Sequence, residues 1–587
     1  MNFGLSNWRL SDFLEIFRLY SLIPLLSLLL LSCLVEVSLA QTIPNSANAG
    51  LIDKALRQSQ PQSLPPRQDE IPEVVISKET SKIDPSAGPE FEVKEIVVEG
   101  ATVITEQAIA NIVQLKEATL MTLGALQLIA QRITALYAEK GYFLSRAYIP
   151  AQKLSGGRVV IKVLEGRIGT VSVSGNESIL SEQLKNYFDS VMDEKVLNES
   201  TLEEALLEVN DLMGVRVRSV LKPNDVPGTS QLGLEVKESS DLSFSIDGDN
   251  FGSRFTGRQR VGVSLIKGNL LVLGDQFSFR GIRSDLDQKF GAASYRIPLS
   301  NKGTELRLAY AFSNNKLGDT LNNLNAGGNS SIMDLEINQL LFRNRQSRFW
   351  MTAGFHRRNF ENFTQGLTSS DDKIRAFSLS LGGRMQDSFY GQTFGQIRLN
   401  KGLGLKNKNR PLTSRVGGRG DALRLEGNFT RYQNLGIANS YVIIRGLGQV
   451  SAIRVLSPDQ FSIGGMGTVR GFPLSEFSGD HGYAGSLEFV TPFPFKWKSG
   501  LGPLTLDRII SLSAFLDHGK VFTEDRLPGE QDQAITGAGY SVRLTIPKEK
   551  EDGPSLNFTA SYGIPLPGPR PTDQSNGIVY LSGSLNY

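Results

Sequence analysis

Cysteine is almost absent, one in 587 residues, which excludes a disulfide scaffold and a thiolate metal cluster. Histidine numbers three, tryptophan three and methionine eight, so few of the usual catalytic or ligating side chains are available. Neither sign of charge dominates: 62 Lys and Arg against 60 Asp and Glu leave a net +2, no electrostatic case for a nucleic-acid partner. Beyond the N-terminus no segment offers about 18 consecutive apolar residues, which excludes a helical membrane protein. What is plentiful is glycine, 59 residues, alongside 40% hydrophobic residues, a composition that excludes a disordered chain. The length suggests roughly three or four domains, or one large architecture with accessory modules. Composition alone is compatible with a soluble β protein, so position along the chain has to decide.

Residues 1–40 read as a secretory signal peptide. Arg9 and Arg18 supply positive charge, Leu22 to Val35 is an apolar run broken only by Pro24, Ser27, Ser32 and Cys33, and Ser38-Leu39-Ala40 places small residues before a cut at Gln41. Leu30-Leu31-Ser32-Cys33 loosely resembles a lipobox, the alternative reading, but the apolar segment continues past Cys33. Cleavage after Ala40 leaves a mature chain without cysteine. An exported protein with no spanning helix is either soluble or a β-barrel.

Residues 41–90 form a periplasmic tail and linker, with Pro61, Pro65 and Pro66 clustered. Ahead of the prolines, Leu51, Ile52, Ala55 and Leu56 fall at helical spacing, which fits a short amphipathic helix or a frayed tail. Residues 91–238 repeat with an offset of about 75 residues. Each copy opens with a strand, Phe91–Val98 and then Gly169–Val173, closed by Gly100 and Gly175. A short helix follows in each, near Thr105 and Ser181, and then a longer one. In the first copy the longer helix carries Leu126, Ile129, Ile133 and Leu136 on one face and ends at Gly141. In the second, Ser200-x-x-Glu203 reads as a capping box ahead of Leu206, Val209 and Leu212, with Gly214 at the end. Two strands close each copy, Ala147–Ile149 with Val159–Val163, and Val215–Val220 with Leu232–Val236.

This β-α-α-β-β order resembles the POTRA domain, the periplasmic module of outer-membrane transport and assembly proteins. Tyr142, then Tyr148, Pro150 and Gln152, then Glu165 and Gly166 resemble the first POTRA of two-partner secretion transporters. The expected modules are residues 91–166 and 167–238. Such a module presents a short exposed strand edge, and edges bind extended chains through backbone pairing.

From 239 to 587 helical periodicity disappears. Glu305 to Phe312 alternates, with Leu306, Leu308, Tyr310 and Phe312 on one face and Glu305 and Arg307 on the other. Phe349 to Phe355, Phe377 to Leu381 and Leu423 to Phe429 alternate likewise. Charges within strands, such as Arg424 and Glu426, suit a water-filled lumen. The chain ends Val579-x-Leu581-x-Gly583-x-Leu585-x-Tyr587, which resembles the outer-membrane insertion signal. About 347 residues at roughly 20–22 per strand and connection gives about 16 antiparallel strands, each long enough to cross at a tilt. The expected fold is therefore a transmembrane β-barrel preceded by two periplasmic α+β POTRA domains.

Phe461 to Phe472 is Gly-rich, but no Lys-Ser/Thr and no helix signal follow, so it is no phosphate loop. Instead Val469, Arg470, Gly471 and Phe472 match the VRGF/Y motif of the superfamily that contains two-partner secretion transporters and barrel-assembly proteins. Phe515-Leu516-Asp517-His518-Gly519 resembles its F-x-D-x-G strand motif. The resemblance implies that the loop folds back into the barrel and that Arg470 meets Asp517 there as a charge-assisted pair. Asn250, Gly252, Thr256 and Gly257 resemble the first-hairpin motif of the same transporters, at the barrel entrance. The resemblance also implies that the N-terminal helix plugs the barrel.

Enzymatic readings fail at the level of sequence: no zinc or Ser-His-Asp pattern surrounds His356, His481 or His518. His518 neighbours Asp517 on a strand and so faces the opposite side. The chain is accordingly identified as a member of the ShlB/FhaC-like TpsB family, not an enzyme, with no cofactor, metal, nucleic acid or small-molecule substrate. The resemblance implies an unfolded secreted exoprotein partner, haemolysin- or adhesin-like, captured by the POTRA domains and threaded through the pore without ATP, in contact with outer-membrane lipid. The alternatives are a Bam-type barrel-assembly factor, which usually carries more POTRA copies, and a passive porin, which leaves residues 91–238 without a role.

Overall fold

The computed structural model describes residues 47–58, 84–115, 117–153, 156–405, 412–500, 502–548 and 553–587. The signal segment and most of the Pro-rich linker lie outside the described residues. Sixteen strands, from Leu242–Asp249 to Ile578–Asn586, close into one antiparallel barrel. Tyr441–Ser451 and His481–Pro492 pair directly, with segment 452–480 looping out between them.

Alternation assigns the two faces. Leu308, Tyr310 and Phe312 point outward and are about half exposed, as do Phe377, Leu379 and Leu381, and Leu423, Leu425 and Phe429. Their neighbours point inward: Glu305 pairs with Arg296 at 2.6 Å and Arg307 with Glu336 at 2.9 Å. Among the described residues no helix is long and apolar enough to cross a membrane. Crossing falls to the strands, whose backbone groups are all paired once the ring closes.

The closing seam is the shortest stretch of that ring. Only Ser245 to Asp249 register with Ser582 to Asn586, and side chain and terminus extend the pairing at both ends. Asn250 donates from Nδ2 to the Val579 carbonyl at 2.9 Å and accepts the Leu581 amide at 2.8 Å, so its amide substitutes for a peptide unit. At the other end Tyr587 and Phe244 exchange backbone hydrogen bonds at 2.8 and 3.0 Å. The terminal aromatic thus locks the last strand to the first.

Two α+β modules precede the barrel. In the first, the sheet order is Glu95–Glu99, Arg158–Leu164, Arg146–Tyr148. The helix Leu123–Glu139 packs across it through Leu126, Ile129, Ile133 and Tyr137. In the second, Arg167–Ser174, Thr229–Glu238 and Val215–Pro223 form the sheet, backed by helix Glu199–Asn210. Gly100 and Gly175 occupy equivalent positive-φ corners, each with a last-strand carbonyl (Val163, Val236) where a Cβ would stand.

Three local expectations need correction. The strand read as Phe91–Val98 is two, Glu90–Val93 and Glu95–Glu99, because the Lys94 and Glu95 amides both turn to the Gly157 carbonyl. The first piece pairs with Thr119–Thr122, a strand too short for periodicity to reveal. The cap of the long second helix is Asn198, whose Oδ1 accepts the Ser200 amide at 3.0 Å, not Ser200 itself. Glu203 is drawn off to Arg345 in a barrel turn.

Each module is tied by a glutamate at the end of its last strand. Glu165 accepts from the Thr102 and Val103 amides at 2.7 and 3.1 Å and from the Tyr137 hydroxyl at 2.8 Å. Glu238 accepts the Glu177, Ser178 and Ile179 amides in the same way. Burial pushes the Glu165 carboxyl up, but the hydrogen bonds from Thr102, Tyr137 and Val103 outweigh it and hold it below the usual carboxylate range. The stability it confers is therefore present above the unfolded carboxylate pKa, about 4.3, and lost as pH falls through the lower folded value. Glu165→Gln should destabilise the periplasmic region by about 1–3 kcal/mol at neutral pH. That difference should shrink as pH drops, in urea unfolding of the full chain; equal stability at neutral pH would count against the clamp.

Candidate functional site

Strand direction places the site. The first barrel strand leaves the second POTRA module, so turns following even-numbered strands lie at the POTRA end and the others at the far end. Segment 452–480 starts at the far end and folds inward. Its small hairpin, Phe461–Ile463 with Phe477–Gly479, carries the tip containing Val469 to Phe472. Val469 and Phe472 are fully buried, packed with Ile463, Val521 and Ile535.

Arg470 is 3% exposed and nearly saturated with acceptors. Its Nε and Nη2 donate to the two oxygens of Asp517 at 2.7 and 2.8 Å, and its backbone amide reaches the same carboxylate at 3.0 Å. Nη1 donates to Glu488 at 2.9 Å and Nη2 to Ser486 at 3.1 Å. The guanidinium stands 3.4 Å over the Phe515 ring centroid. The F-x-D-x-G spacing follows from the strand period: Phe515, Asp517 and Gly519 share the lumen face, while Leu516 and His518 turn outward. Phe515 supplies the π face, Asp517 the bidentate acceptor, and Gly519 the space that Ile463 and Val469 fill.

Backbone approach dictates the glycines. Gly471 has φ +96 and lies against the Ile564–Pro565 peptide, and a Cβ at Gly537 would collide with the Arg470 carbonyl. Tyr580 donates to the Phe472 carbonyl and accepts the Gly471 amide, both at 3.2 Å. Glu488, Tyr580 and Gly537 are parts of this site that motif reading missed. Their only sequence signal is lumen parity, Glu488 and Gly537 on the strands adjoining Asp517 and Tyr580 on the last strand of the barrel.

The helix Ala49–Gln58 lies inside the barrel, against lumen-facing residues of the strands Gly327–Arg343 and Ser347–Thr364. The Ala49 amide donates to Asn362 at 2.9 Å, Ser330 donates to Asp53 at 3.2 Å, and Lys54 donates to the Gln460 carbonyl at 2.8 Å. Gly50 abuts Pro458 so closely that a Cβ would overlap it. Asp459, on the same loop stem, pairs with Arg358 at 2.7 Å and Arg424 at 2.9 Å. Helix, loop stem and barrel wall are thus joined through neighbouring polar contacts.

The first-hairpin residues lie at the end remote from the POTRA modules, which corrects the expectation of the barrel entrance. Asn250 seals the seam, Gly252 and Gly257 (φ +104) allow a tight turn, and the Thr256 carbonyl accepts the Ser284 hydroxyl. The turn sets Phe255 against Ala47, Ile52 and Leu456, so it supports both helix and loop. In the first POTRA, Gln152 exchanges two hydrogen bonds of 2.8 Å with the Val160 backbone, extending the short edge strand Arg146–Tyr148 by a side chain. Gly166 fits against Leu144, Tyr142 stacks edge-on to Tyr137, Tyr148 is exposed, and Pro150 follows the edge strand.

Folding also assembles a chain invisible in sequence: Asp334, His356 and Ser378 are linked at 2.7 Å across three adjacent strands. The order is that of a hydrolase triad. The surrounding amides, however, are engaged in the strand ladder, which leaves no N–H pair to stabilise an oxyanion.

At the POTRA end a cavity of about 910 Å³ separates the second module from the barrel mouth, lined by Glu208, Asp211, Arg296, Glu305, Arg343 and Arg348 among others. Arg343 and Arg348 pair with Asp211 at 2.6 and 2.5 Å, and Arg343 also caps the Leu207 carbonyl at the helix end.

A sixteen-strand barrel with an internal helix, an inward-folded VRGF loop and POTRA modules at its mouth defines a POTRA-bearing outer-membrane transporter. Sequence models agree: the family described as haemolysin secretion/activation protein ShlB/FhaC/HecB matches residues 228–544, and the ShlB-type POTRA domain matches residues 91–166. The chain belongs to the ShlB/FhaC/HecB family and is a two-partner secretion transporter of the bacterial outer membrane, with its POTRA region in the periplasm. Among its relatives is outer membrane transporter CdiB of Escherichia coli, 26% identical over 81% of each chain. Heme/hemopexin transporter protein HuxB of Haemophilus influenzae is 22% identical over 83% of this chain and 85% of its own. The solved structure of CdiB from Escherichia coli shares the fold, with TM-score 0.69 at 23% identity over 94% of this chain and 100% of that one. A BamA structure from Haemophilus ducreyi lacking POTRA domains 1-3 shares it more distantly, at TM-score 0.50 and 14% identity.

Arg470→Ala leaves Asp517 buried without its cation, while Glu488 keeps Arg445 at 3.5 Å and Arg543 at 4.0 Å, a loss of about 3–5 kcal/mol at the loop's anchorage. The barrel should stay inserted, seen as heat-modifiable migration, while segment 464–476 becomes protease-sensitive and export falls. Unchanged export would count against the loop's role.

Proposed function

We propose that the POTRA modules capture a haemolysin- or adhesin-like exoprotein in extended form and pass it through the charged mouth into a lumen from which helix and loop withdraw. The observation that carries this reading is the filling of the lumen by two segments held through polar and ionic contacts, Lys54 to Gln460 and Arg470 to Asp517 and Glu488. Such contacts exchange for water at modest net cost, because buried ion pairs gain little over their hydration. The strands Arg146–Tyr148 and Val215–Pro223 are sheet edges whose outer backbone is held by side chains, Thr134 on the Ala147 amide and Asn210 on both Val217 groups, and an incoming strand would displace these to pair with the edge. Folding of the exoprotein outside the cell supplies direction, so neither ATP nor bond-making chemistry enters the cycle. The far-end network of Arg415 with Asp480 and Arg454 with Glu530 belongs to the closed state and parts with the plug.

A barrel-assembly role would open the seam sideways; here Asn250 and Tyr587 reinforce it, which favours axial transport. A passive porin has no use for the occupied lumen.

Deleting residues 91–166 should abolish capture of the exoprotein's secretion domain in a pull-down, and retained capture would sink that part of the reading. Deleting residues 47–58 should raise single-channel conductance in planar bilayers, by opening a gap about one helix, ~10 Å, across. Unaltered conductance would remove the helix as a plug.

A further inference from the structure

The turn between His481–Pro492 and Ile510–Phe522 is long, and it does not lie flat on the barrel rim. Beyond Pro492 and Ser511 the ladder is interrupted by the four-residue helix Leu506–Ile509, yet the same register is kept at both ends of it: Phe493 bonds Ile510, Trp497 bonds Leu506, and Ser499 bonds Leu504. The neighbouring strand Tyr441–Ser451 ends its pairing at Val490, so residues 493–500 and 502–509 extend past it at the POTRA end, with the helical arm against the strand Gln533–Ile546 on the other side.

Its side chains continue the outward face of the strand. Tyr483, Leu487 and Phe489 are exposed on the lipid side, and the same parity runs on to Phe493, Phe495 and Trp497. These three rings pack together: Phe495 and Trp497 stack at 4.9 Å with planes 10° apart, and Phe493 meets both edge-on at 5.8 and 6.0 Å. Phe495 and Trp497 remain 51% and 59% exposed. Lys496 and Lys498 alternate with them and are exposed, with no ion pair to either among the described residues. The preceding turns on this arc also expose large apolar side chains, Ile437 at 70% and Phe389 and Tyr390 at 75% and 78%. The opposite arc is covered by the second POTRA module, through Asn269, Asn301 and Arg343.

We propose that this hairpin is a lipid anchor, seating the Phe493–Phe495–Trp497 cluster in the periplasmic leaflet of the outer membrane with Lys496 and Lys498 on anionic phospholipid headgroups. Length supports it. Tyr483 to Pro492 spans about 30 Å along the strand, or about 23 Å along the axis at a tilt of about 40°, against an apolar band about 25 Å tall, so Phe493, Phe495 and Trp497 follow where the band ends. The stripe therefore reaches headgroup depth at its ends, where amphipathic rings reside and lysines snorkel to phosphate. The patch faces away from the mouth cavity, none of whose lining residues it contributes, and it is continuous with the lipid-facing surface. The anchor gives the barrel a fixed depth and tilt on the side the POTRA modules leave bare.

The test uses the full chain with Trp8 and Trp350 changed to Phe, so that Trp497 is the single indole. Trp350 faces the lumen over Gly382, and heat-modifiable migration checks that the barrel remains closed. Vesicles of phosphatidylethanolamine and phosphatidylglycerol carry acyl chains brominated near the headgroup or near the bilayer centre. Because both leaflets contain the label, insertion orientation does not matter. The expected result is about a twofold loss of emission with headgroup-proximal bromine, a smaller loss with deep bromine, and weak quenching by aqueous acrylamide. Lys496→Glu with Lys498→Glu should reduce the bromine quenching and increase that by acrylamide. Full acrylamide quenching without bromine quenching would place the cluster in water and overturn the proposal in favour of a protein-docking patch. Indifference to the lysine changes would overturn the headgroup contact.

Discussion

Inside hydrocarbon every backbone amide and carbonyl needs a partner, and this single constraint organises the whole chain. It requires a closed ring of strands, so the chain has to bring residue 587 back to residue 244. It allows only alternating side chains, one set for lipid and one for the lumen. The lumen set is consequently richer in polar groups, with apolar patches such as Phe290, Ile332 and Phe360 under the helix and Val521 and Ile535 under the loop. Both fillers match this mixture: the helix sets Ile52, with Ala47 just before it, against the wall and uses Lys54 and Asp53, and the loop buries Val469 and Phe472 beside Arg470.

A polar filling has a functional consequence. Apolar contacts such as those of Ile52, Val469 and Phe472 have to be exposed when a filler leaves, whereas its ion pairs exchange carboxylate partners for water. Desolvation and Coulomb attraction nearly cancel in such pairs, so geometry can be well defined while release costs little. Arg470 illustrates the balance: bidentate to Asp517, shared with Glu488, and stacked on Phe515. Helix and loop meet where Gly50 rests on Pro458, so withdrawal of one loosens the other. At the opposite end, Asp211 with Arg343 and Arg348 sets the second POTRA module over the mouth.

Much of the fold was legible because strand alternation and helical spacing are local. Glu305-Leu306-Arg307-Leu308 announces its two faces without knowing its neighbours, and strand count follows from length. Arg470 and Asp517 were legible as a pair through resemblance to known motifs, forty-seven positions apart yet in contact. Glu488 and Tyr580 were not, since a single inward glutamate or tyrosine looks like any other lumen residue until the loop is docked on it. The break at Lys94 leaves no local signal because it depends on the distant Gly157 carbonyl. Ser200 is not the cap because the helix already begins at Glu199, and Asn198 ahead of it accepts both the Ser200 amide and its hydroxyl at Oδ1.

Sequence by itself determined the class of structure: a repeated α+β module, then a run of alternating strands ending in Tyr587, with glycines where backbone passes close. Those properties depend on nearest neighbours and on period. Tertiary structure alone decided what the barrel contains and how it closes. The seam rests on Asn250 reaching Val579 and Leu581, and the Asp334–His356–Ser378 chain on the stagger of three strands. The far-end position of the first-hairpin residues depends on strand direction counted from the POTRA junction. Each arises from register and ring closure, which join residues hundreds of positions apart and leave no periodic trace along the chain.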